Sequence, residues 1–259
     1  MPEGDTIWRT AAALRRQLVG KVVVDARPAP LMRLKGQRLE TVEPNGKHLF
    51  MRFDRGNVLH SHMRMTGAWH LYRPGERWRQ PERRATAVLS FDDAVAVCFA
   101  APVMELTADE RQPVQHLGPD ILADPFELDE VIRRVRSSEQ RTLGELLLDQ
   151  RVCAGIGNIY KCESLWLHRL DPWMDPRQLD EAALRELYLT ARELMRRNLV
   201  TPIRAQRHAV HGHARRPCPR CGSPIRLRAQ GEQARLTYYC ESCQKAAVAG
   251  TARNLAARR

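Results

Sequence analysis

The spacing of four cysteines near the end of the chain constrains its fold more than any other sequence feature. They form two pairs with two residues inside each pair and 18 residues between the pairs: Cys218, Cys221, Cys240 and Cys243. Four thiolates at this spacing are typical of a closed, tetrahedral, structural Zn²⁺ site. A module this short buries little apolar surface, so metal coordination would hold it together. We predict a metal-bound β-hairpin whose turn lies near residues 229–232.

Disulfide bonds are the alternative use of these cysteines. The chain begins without an apolar leader or a cleavage signal, so we expect a cytosolic protein with reduced thiols. The three other cysteines lie in apolar patterns and are predicted to be buried packing residues: Cys98, Cys153 and Cys162.

Basic residues are concentrated in the last quarter of the chain. Residues 1–195 contain 28 Lys and Arg and 28 Asp and Glu, whereas residues 196–259 contain 14 against 2, which accounts for the net charge of +12. This asymmetry predicts a polyanionic partner, and nucleic acid is the simplest one. A membrane surface fits less well, because Pro, Gly and Cys interrupt the basic residues and no apolar run of about 18 residues is present. A solubilising basic tail remains the alternative.

The first residues also point to chemistry. Pro2 is small enough to permit removal of Met1, which would expose a secondary amine beside the carboxylate of Glu3. An α-amine has a pKa of about 8, against about 10.4 for lysine, so a larger fraction is nucleophilic at neutral pH. Attack on a sugar aldehyde carbon would give an iminium, and Glu3 could exchange protons beside it. An ordinary processed N-terminus is the alternative, since many proteins begin Met-Pro.

Periodicity predicts an α+β multidomain protein. Apolar residues at helical spacing predict one helix over residues 3–19. A series of short strands separated by turns follows, which predicts a β-sandwich: residues 22–24, 39–42, 48–53, 58–62, 87–91 and 94–99. A linker near residue 120 leads to four helical segments: residues 127–137, 142–150, 158–168 and 178–198. The predicted domains are residues 1–119, 126–213 and 214–245, followed by a basic tail over residues 246–259.

Two further elements could bind phosphate. Gly155 and Gly157 permit a tight, left-handed turn between two helices, and Asn158 would cap the second helix, whose free N–H groups form an anion site. A capped turn without a ligand is the alternative. Arg235 lies on the predicted hairpin, where a guanidinium can make bidentate phosphate contacts. A solvated strand charge is the alternative there.

Together these motifs resemble the formamidopyrimidine-DNA glycosylase and endonuclease VIII family of base-excision repair enzymes. The resemblance covers residues 2–245 and rests on four motifs in the family's order. They are the Pro-Glu-Gly start, Asn45-Gly46-Lys47-His48, Gly155-Ile156-Gly157-Asn158 and the four cysteines with Arg235-Leu236-Thr237-Tyr238-Tyr239 between them. The implied fold is an N-terminal helix with a β-sandwich, a helix–two-turn–helix domain and a C-terminal β-hairpin zinc finger.

The resemblance implies a bifunctional DNA glycosylase and abasic-site lyase that flips the damaged nucleotide out of the helix. Pro2 would attack the sugar C1′ and Glu3 would help to open the sugar. Lys47 would support the sugar and its phosphate during β,δ-elimination. Asn158 and Arg235 would hold phosphates, and one Zn²⁺ would be structural. We expect a bacterial, cytoplasmic, nucleoid-associated monomer that acts on damaged duplex, bubble or single-stranded DNA.

The segment from Ser61 to Gly67 resembles the family's void-filling loop. Met65 is the predicted apolar wedge and Arg64 its companion at the DNA. Thr66 occupies the place of an aromatic residue in endonuclease VIII. Core packing is the alternative for Met65.

One departure concerns the first helix. The family usually has a glutamate at the sixth residue, where this chain has Thr6 beside Asp5, and either residue could replace it. The Pro-Glu-Gly start and the zinc module favour oxidised pyrimidines as substrates. A formamidopyrimidine/8-oxoguanine-specific glycosylase and a catalytically silent DNA-binding protein remain the alternatives.

Overall fold

The computed structural model describes residues 2–109, 111–201 and 207–245. They form two compact units that divide after Leu122. The predicted domain boundaries are not tested by this division and stay predictions. The predicted tail over residues 246–259 lies outside the described residues.

The described residues of the first unit form one α-helix, two short 3₁₀ helices and two four-stranded antiparallel sheets, as predicted for a helix with a β-sandwich. Helix α1 spans Gly4–Leu18. The sheets have the strand orders β1-β6-β7-β5 and β2-β3-β4-β8. The strands are β1 (Asp25–Arg27), β2 (Leu39–Asn45), β3 (His48–Phe53), β4 (Val58–His62), β5 (Ala68–Tyr72), β6 (Ala85–Ser90), β7 (Val95–Phe99) and β8 (Val103–Thr107).

Helix α1 packs on β2 and β3 through one apolar face. Its residues Ile7, Ala11, Leu14 and Leu18 recur at helical spacing and are all at most 1% exposed. They join inward-facing strand residues of both sheets in one continuous core. Burial of this face, rather than intrinsic helix propensity, stabilises a helix of this length. The packing therefore fixes where the start of the chain lies on the sandwich.

Three strand predictions need correction. Strands β5 and β8 were not predicted, because β5 follows the Ser61–Gly67 segment directly and β8 is a half-buried edge strand without a clear apolar alternation. Residues 22–24 do not form the predicted strand. Val22 makes only an isolated bridge to Arg38, and the strand begins at Asp25.

The second unit contains four α-helices and a two-stranded hairpin. The helices are α2 (Leu128–Arg136), α3 (Leu143–Leu148), α4 (Asn158–Leu167) and α5 (Glu181–Val200), and the strands are β9 (Arg226–Gln230) and β10 (Arg235–Tyr239). Helix α5 begins three residues later than predicted, because the Asp180 carboxylate accepts a hydrogen bond from the Ala183 N–H and caps the helix there. The α+β fold class is confirmed.

A buried carboxylate organises the segment before the hairpin. Glu163 on α4 is 8% exposed. Its two oxygens accept hydrogen bonds from the backbone N–H groups of Ala209, Val210 and His211, at 2.7, 2.9 and 2.8 Å. Because a buried N–H without an acceptor is costly, this carboxylate holds the irregular segment against α4. Among the described residues, no helix is long and apolar enough to cross a membrane.

Replacement of Glu163 by Ala should therefore destabilise the second unit. Three backbone N–H groups, that of Val210 buried and those of Ala209 and His211 partly buried, would lose a charged acceptor, which should cost about 3 kcal/mol of unfolding free energy. Urea unfolding followed by Trp fluorescence would measure the loss. The control is Glu186→Ala, at an exposed position on α5. Equal stability of the two variants would contradict the anchoring role of Glu163.

Candidate active site and four-cysteine cluster

The start of helix α1 places Pro2 and Glu3 at one end of the core. Glu3 is the N-cap residue, and its carbonyl accepts hydrogen bonds from the N–H groups of Thr6 and Ile7. Its side chain is only 1% exposed, whereas Pro2 is half-buried. The carboxylate does not cap the helix. It therefore serves a role other than the usual N-cap hydrogen bond.

The neighbouring acid on α1 is already engaged. Asp5 is 4% exposed, and its carboxylate lies 3.2 Å from an Arg9 guanidinium nitrogen and 3.4 Å from the Thr6 hydroxyl. The ion pair keeps Asp5 within the helix. Which of Asp5 and Thr6 replaces the family's second acid stays a prediction.

Lys47 lies at the tip of a two-residue turn between β2 and β3. Asn45 pairs with His48, so the turn residues are Gly46 and Lys47, one position later than an Asn-Gly turn. Gly46 has φ +57°, a conformation that glycine adopts without strain. Lys47 is half-buried. The short turn holds its backbone in a fixed place at the end of the sheet.

One carboxylate ties helix α1 to this turn. An Asp120 oxygen accepts hydrogen bonds from the Gly46 N–H at 2.9 Å and from the Trp8 indole N–H at 3.3 Å. Trp8 is on the second turn of α1, so the helix and the turn lie no more than two hydrogen-bond lengths apart at this point. The structure thus brings the helix that begins beside Pro2 and Glu3 to the turn that presents Lys47.

Histidines line the strands next to Lys47. The ring of His48 lies 5.1 Å from that of His60 and 4.6 Å from that of His62, measured between centroids. Burial lowers the pKa of His48 to about 3 and that of His62 to about 4, and nearby positive groups, Lys47 among them, act in the same direction. Both imidazoles are therefore neutral at physiological pH.

The loop between β4 and β5 presents Met65 to solvent. Met65 is 59% exposed, which excludes core packing. Arg64 is exposed with φ +43°, and the Thr66 hydroxyl donates to the Ala100 carbonyl at 3.0 Å. A Cβ on Gly67 would approach the Met63 carbonyl to 2.7 Å, so glycine is required there. The loop is held from both sides and leaves Met65 at its tip.

In the second unit, a nine-residue turn joins α3 and α4. The Gln150 side-chain amide donates to the carbonyls of Leu148 and Ile156 and accepts from the Gly155 N–H. Gly155 has φ +104°, as predicted for a left-handed residue. The prediction for Gly157 is wrong, since its φ of −125° is extended. Gln150 was not predicted; a polar residue inside a turn gives no sequence signal of the carbonyls it will bond.

Asn158 is also placed differently from the prediction. Gly157 is the N-cap of α4 and Asn158 is the first helical residue. Its side-chain N–H donates to the Leu236 carbonyl on β10 at 2.7 Å, directly beside Arg235. The Arg235 guanidinium in turn donates to the Gln233 side chain at 3.1–3.2 Å. The structure therefore brings Asn158 and Arg235 to the same end of the hairpin.

The four cysteines form a compact cluster. Their sulfur atoms all lie within 4.8 Å of one another, with Cys218 and Cys243 4.0 Å apart and Cys221 and Cys240 3.4 Å apart. Tetrahedral thiolate coordination at about 2.3 Å places sulfurs about 3.8 Å apart, so the donors fit a metal ion. The cluster can therefore bind a metal. The Trp166 indole N–H donates a hydrogen bond to one of the sulfurs, that of Cys218, at 3.4 Å. The other cysteines are buried as predicted.

A buried polar network attaches the hairpin to the helices. The fully buried Lys161 ammonium donates to the Thr237 hydroxyl at 2.7 Å, and Thr237 donates to the Gln230 side chain at 2.9 Å. Gln230 then donates to Thr142 at 3.0 Å and to the Pro172 carbonyl at 2.7 Å. Since each member is hydrogen-bonded, the network fixes one orientation of the hairpin on α3 and α4.

Comparison with known proteins identifies the class. Residues 1–103 match the formamidopyrimidine-DNA glycosylase N-terminal domain, and residues 117–206 match the formamidopyrimidine-DNA glycosylase H2TH domain. The probable endonuclease 8 2 of Streptomyces coelicolor is 38% identical over 94% of both chains. The DNA-(apurinic or apyrimidinic site) lyase Nei2 of Mycolicibacterium smegmatis is 34% identical over 95% of this chain and all of the relative.

The solved structures agree with these sequence relatives. The Lactococcus lactis formamidopyrimidine-DNA glycosylase bound to abasic-site DNA matches with a TM-score of 0.82 and 22% identity, over 94% of this chain and 99% of that one. This likeness establishes the fold. The chain belongs to the formamidopyrimidine-DNA glycosylase and endonuclease VIII family of base-excision repair enzymes, which combine DNA glycosylase and abasic-site lyase activities.

The Asp120 bridge generates a prediction. Asp120→Ala removes the acceptor shared by Trp8 and Gly46, so the helix start and the Lys47 turn should lose their fixed spacing. Because misplacement of catalytic groups by about 1 Å can cost about 100-fold, we expect cleavage of abasic-site DNA to slow at least tenfold. Single-turnover kinetics would measure it. Asp92→Ala, in the exposed β6–β7 turn, is the control, and an unchanged rate in Asp120→Ala would refute the coupling.

Proposed function

We propose that Pro2, exposed by removal of Met1, is the nucleophile of this DNA glycosylase and abasic-site lyase, and that oxidised pyrimidines are its preferred substrates. The observation that supports the site most directly is the Asp120 bridge, which joins the helix beginning beside Pro2 and Glu3 to the Lys47 turn. An amine, a carboxyl group and a cation are the groups that such a reaction needs. Relatives named endonuclease 8 support the choice of that branch of the family, for which the resemblance implies oxidised pyrimidines.

The proposed reaction begins at the sugar of a flipped nucleotide. The Pro2 nitrogen attacks C1′, the bond from C1′ to the base breaks, and the base leaves with the electron pair and takes up the proton that the Pro2 nitrogen releases. Opening of the sugar ring then gives an iminium between Pro2 and C1′. Glu3 supplies the proton for ring opening, a role for which its position beside Pro2 is suited.

Lys47 supports the later steps. Loss of the C2′ proton and departure of the 3′ phosphate complete the β-elimination, and δ-elimination removes the 5′ phosphate. Negative charge develops on each departing phosphate, and an ammonium at a fixed turn stabilises it. Because Gly46 and Asp120 hold the turn, the charge is preorganised for this role.

The second unit is proposed to hold the DNA backbone. Asn158, the first residue of α4, and Arg235 meet at the end of the hairpin, and the start of a helix favours a bound anion. The interaction is with phosphates, so affinity should fall with salt without depending on base identity. Duplex, bubble and single-stranded DNA all present this backbone. We propose a monomer in the bacterial nucleoid.

Met65 is the proposed wedge that fills the space left by the flipped nucleotide. An exposed apolar side chain on a loop held at both ends can enter the base stack without rearrangement of the fold. Arg64 beside it can reach a neighbouring phosphate or base. Thr66 bonds back to the protein and is not available as a second wedge.

Zn²⁺ is the proposed occupant of the cysteine cluster, because four sulfur donors in tetrahedral spacing favour it. The donors satisfy all of its positions, so its role is structural and the ion takes no part in base removal. Coordination would hold the two ends of the β9–β10 hairpin together.

Glu3→Gln tests the division of roles between Glu3 and Pro2. The variant should excise 5-hydroxyuracil at least 100-fold more slowly than the wild type, while its cleavage of a preformed abasic site should fall less than tenfold, because an open abasic sugar no longer needs the acid. Single-turnover rates on matched duplexes would measure both. Glu40→Gln, exposed on β2, is the control.

The same assay decides the substrate class. Faster excision of 5-hydroxyuracil than of 8-oxoguanine by the wild type supports the oxidised-pyrimidine proposal, and the reverse order overturns it. If Glu3→Gln slowed the excision of 5-hydroxyuracil and the cleavage of the preformed abasic site equally, the role proposed for Glu3 would be contradicted.

The metal assignment predicts about one zinc ion per purified chain. Removal by a chelator, or Cys221→Ser, should unfold the hairpin module and weaken DNA binding at least tenfold, because the module is too small to keep its fold unaided. Elemental analysis and fluorescence anisotropy would measure the two effects, with Ser242→Ala as the control. Metal-free protein that binds and cleaves DNA fully would contradict the assignment.

A further inference from the structure

Five side chains occupy neighbouring positions on one face of the sheet next to the Lys47 turn. Strand pairing places Phe50 opposite His60 and His60 opposite Glu105, while His48 is opposite His62. The core residues of β3 alternate with these positions, so the row lies on the face away from the main core. The glycosylase chemistry described above does not use this row.

Three of these side chains form a hydrogen-bonded chain. The Glu105 carboxylate lies 2.8 Å from Nδ1 of His60, and Nε2 of His60 lies 2.8 Å from Nδ1 of His48. His60 is 2% exposed and its ring stacks on those of Phe50 and His48, with interplanar angles of 18° and 11°. Both nitrogens of the central imidazole are thus engaged in a fixed plane.

The carboxylate of Glu105 determines which groups donate and which accept in this chain of hydrogen bonds. An ionised carboxylate only accepts, so Nδ1 of His60 carries a proton; when His60 bears no second proton, its Nε2 accepts from Nδ1–H of His48. The remaining nitrogen, Nε2 of His48, then has a lone pair and no proton. In this state His48 accepts hydrogen bonds and repels a phosphate oxygen.

One added proton reverses the hydrogen-bonding role of His48 Nε2. When Nε2 of His48 takes up a proton, its Nδ1 proton can pass to Nε2 of His60, which places the positive charge on His60 beside Glu105. His48 is then neutral but donates from Nε2–H. The proton count is balanced, since one proton enters and two hydrogen bonds keep their places. The chain thus converts His48 from an acceptor to a donor without a bare charge on His48.

We propose that His48 is a phosphate ligand switched on through Glu105 and His60, so that docking of a DNA phosphate beside Lys47 takes up one proton. The proposal rests on the proposed function, which brings a phosphate to Lys47. Glu105 and His60 are positioning residues, and His48 is the group that contacts the DNA.

The electrostatics of the free protein fit this linkage. The groups that face His48 are, apart from the carboxylate, positive or neutral: Lys47, His60, His62 and His116. With burial they lower the pKa of His48 to about 3, so the free protein holds no proton there at neutral pH. A docked phosphodiester favours the protonated chain and raises its pKa. The binding contribution is therefore present below the raised pKa and is lost as pH increases through it.

The test is the pH dependence of binding to a duplex that contains tetrahydrofuran, an abasic-site analogue that the enzyme cannot cleave. Glu105→Gln preserves an acceptor for His60 but removes the negative charge that stabilises its cation. Glu105 is 53% exposed in its side chain, so this change should leave the fold intact. His48→Gln removes the titrating ring itself. Glu40→Gln and His70→Gln are the matched controls in the same unit.

Wild type and both controls should bind more tightly at pH 6 than at pH 8, and Glu105→Gln and His48→Gln should lose most of that difference, which for one proton is at most about tenfold per pH unit and about 100-fold over this range. Calorimetry in buffers of different ionisation enthalpy should show one proton fewer taken up by the two variants. Wild-type pH dependence and proton uptake in both variants would overturn the proposal. Because the DNA is not cleaved, the result does not depend on whether Pro2 is the nucleophile.

Discussion

The first unit depends on the packing of α1 onto β2 and β3. The hydrogen bonds to the Asp120 carboxylate hold this packing in place. The nucleophile proposed at the start of the chain can act only when the fold holds that start in place. Here the apolar face of α1 fixes the helix on the core, and the shared acceptor of Trp8 and Gly46 sets its position against the Lys47 turn. Preorganisation of this kind removes the entropic cost of bringing reacting groups together.

The hairpin of the second unit is too small to be stable alone and depends on contacts outside it. The cysteine cluster closes one end, while the Lys161–Thr237–Gln230–Thr142 network and the Asn158 bond to β10 attach the hairpin to the helices. Burying an ammonium is costly unless it is hydrogen-bonded, so this network specifies one arrangement of hairpin and helices. Because Arg235 lies on β10, this arrangement also fixes its position.

Local patterns predicted much of the fold. Cysteine spacing predicted the cluster, helical spacing predicted α1, and the Gly turn predicted the α3–α4 connection. Long-range partners could not be predicted: nothing near Asp120 indicates that it bonds residues 74 and 112 positions away. The same holds for the Glu105–His60–His48 chain, which depends on the register of three strands, one of which the sequence did not reveal. For Asn158 the sequence predicted a helix cap, because its hydrogen-bond partner on β10 lies 78 residues away and leaves no local signal.

The most direct measurement is borohydride trapping on duplexes with an abasic site, 5-hydroxyuracil or 8-oxoguanine, followed by peptide mapping of any adduct. The protein should first be shown to lack Met1 and to contain zinc. We expect a covalent adduct at Pro2 with the abasic and oxidised-pyrimidine substrates. No adduct on any substrate, or an adduct mapped to Lys47 alone, would contradict the assignment of Pro2 as the nucleophile.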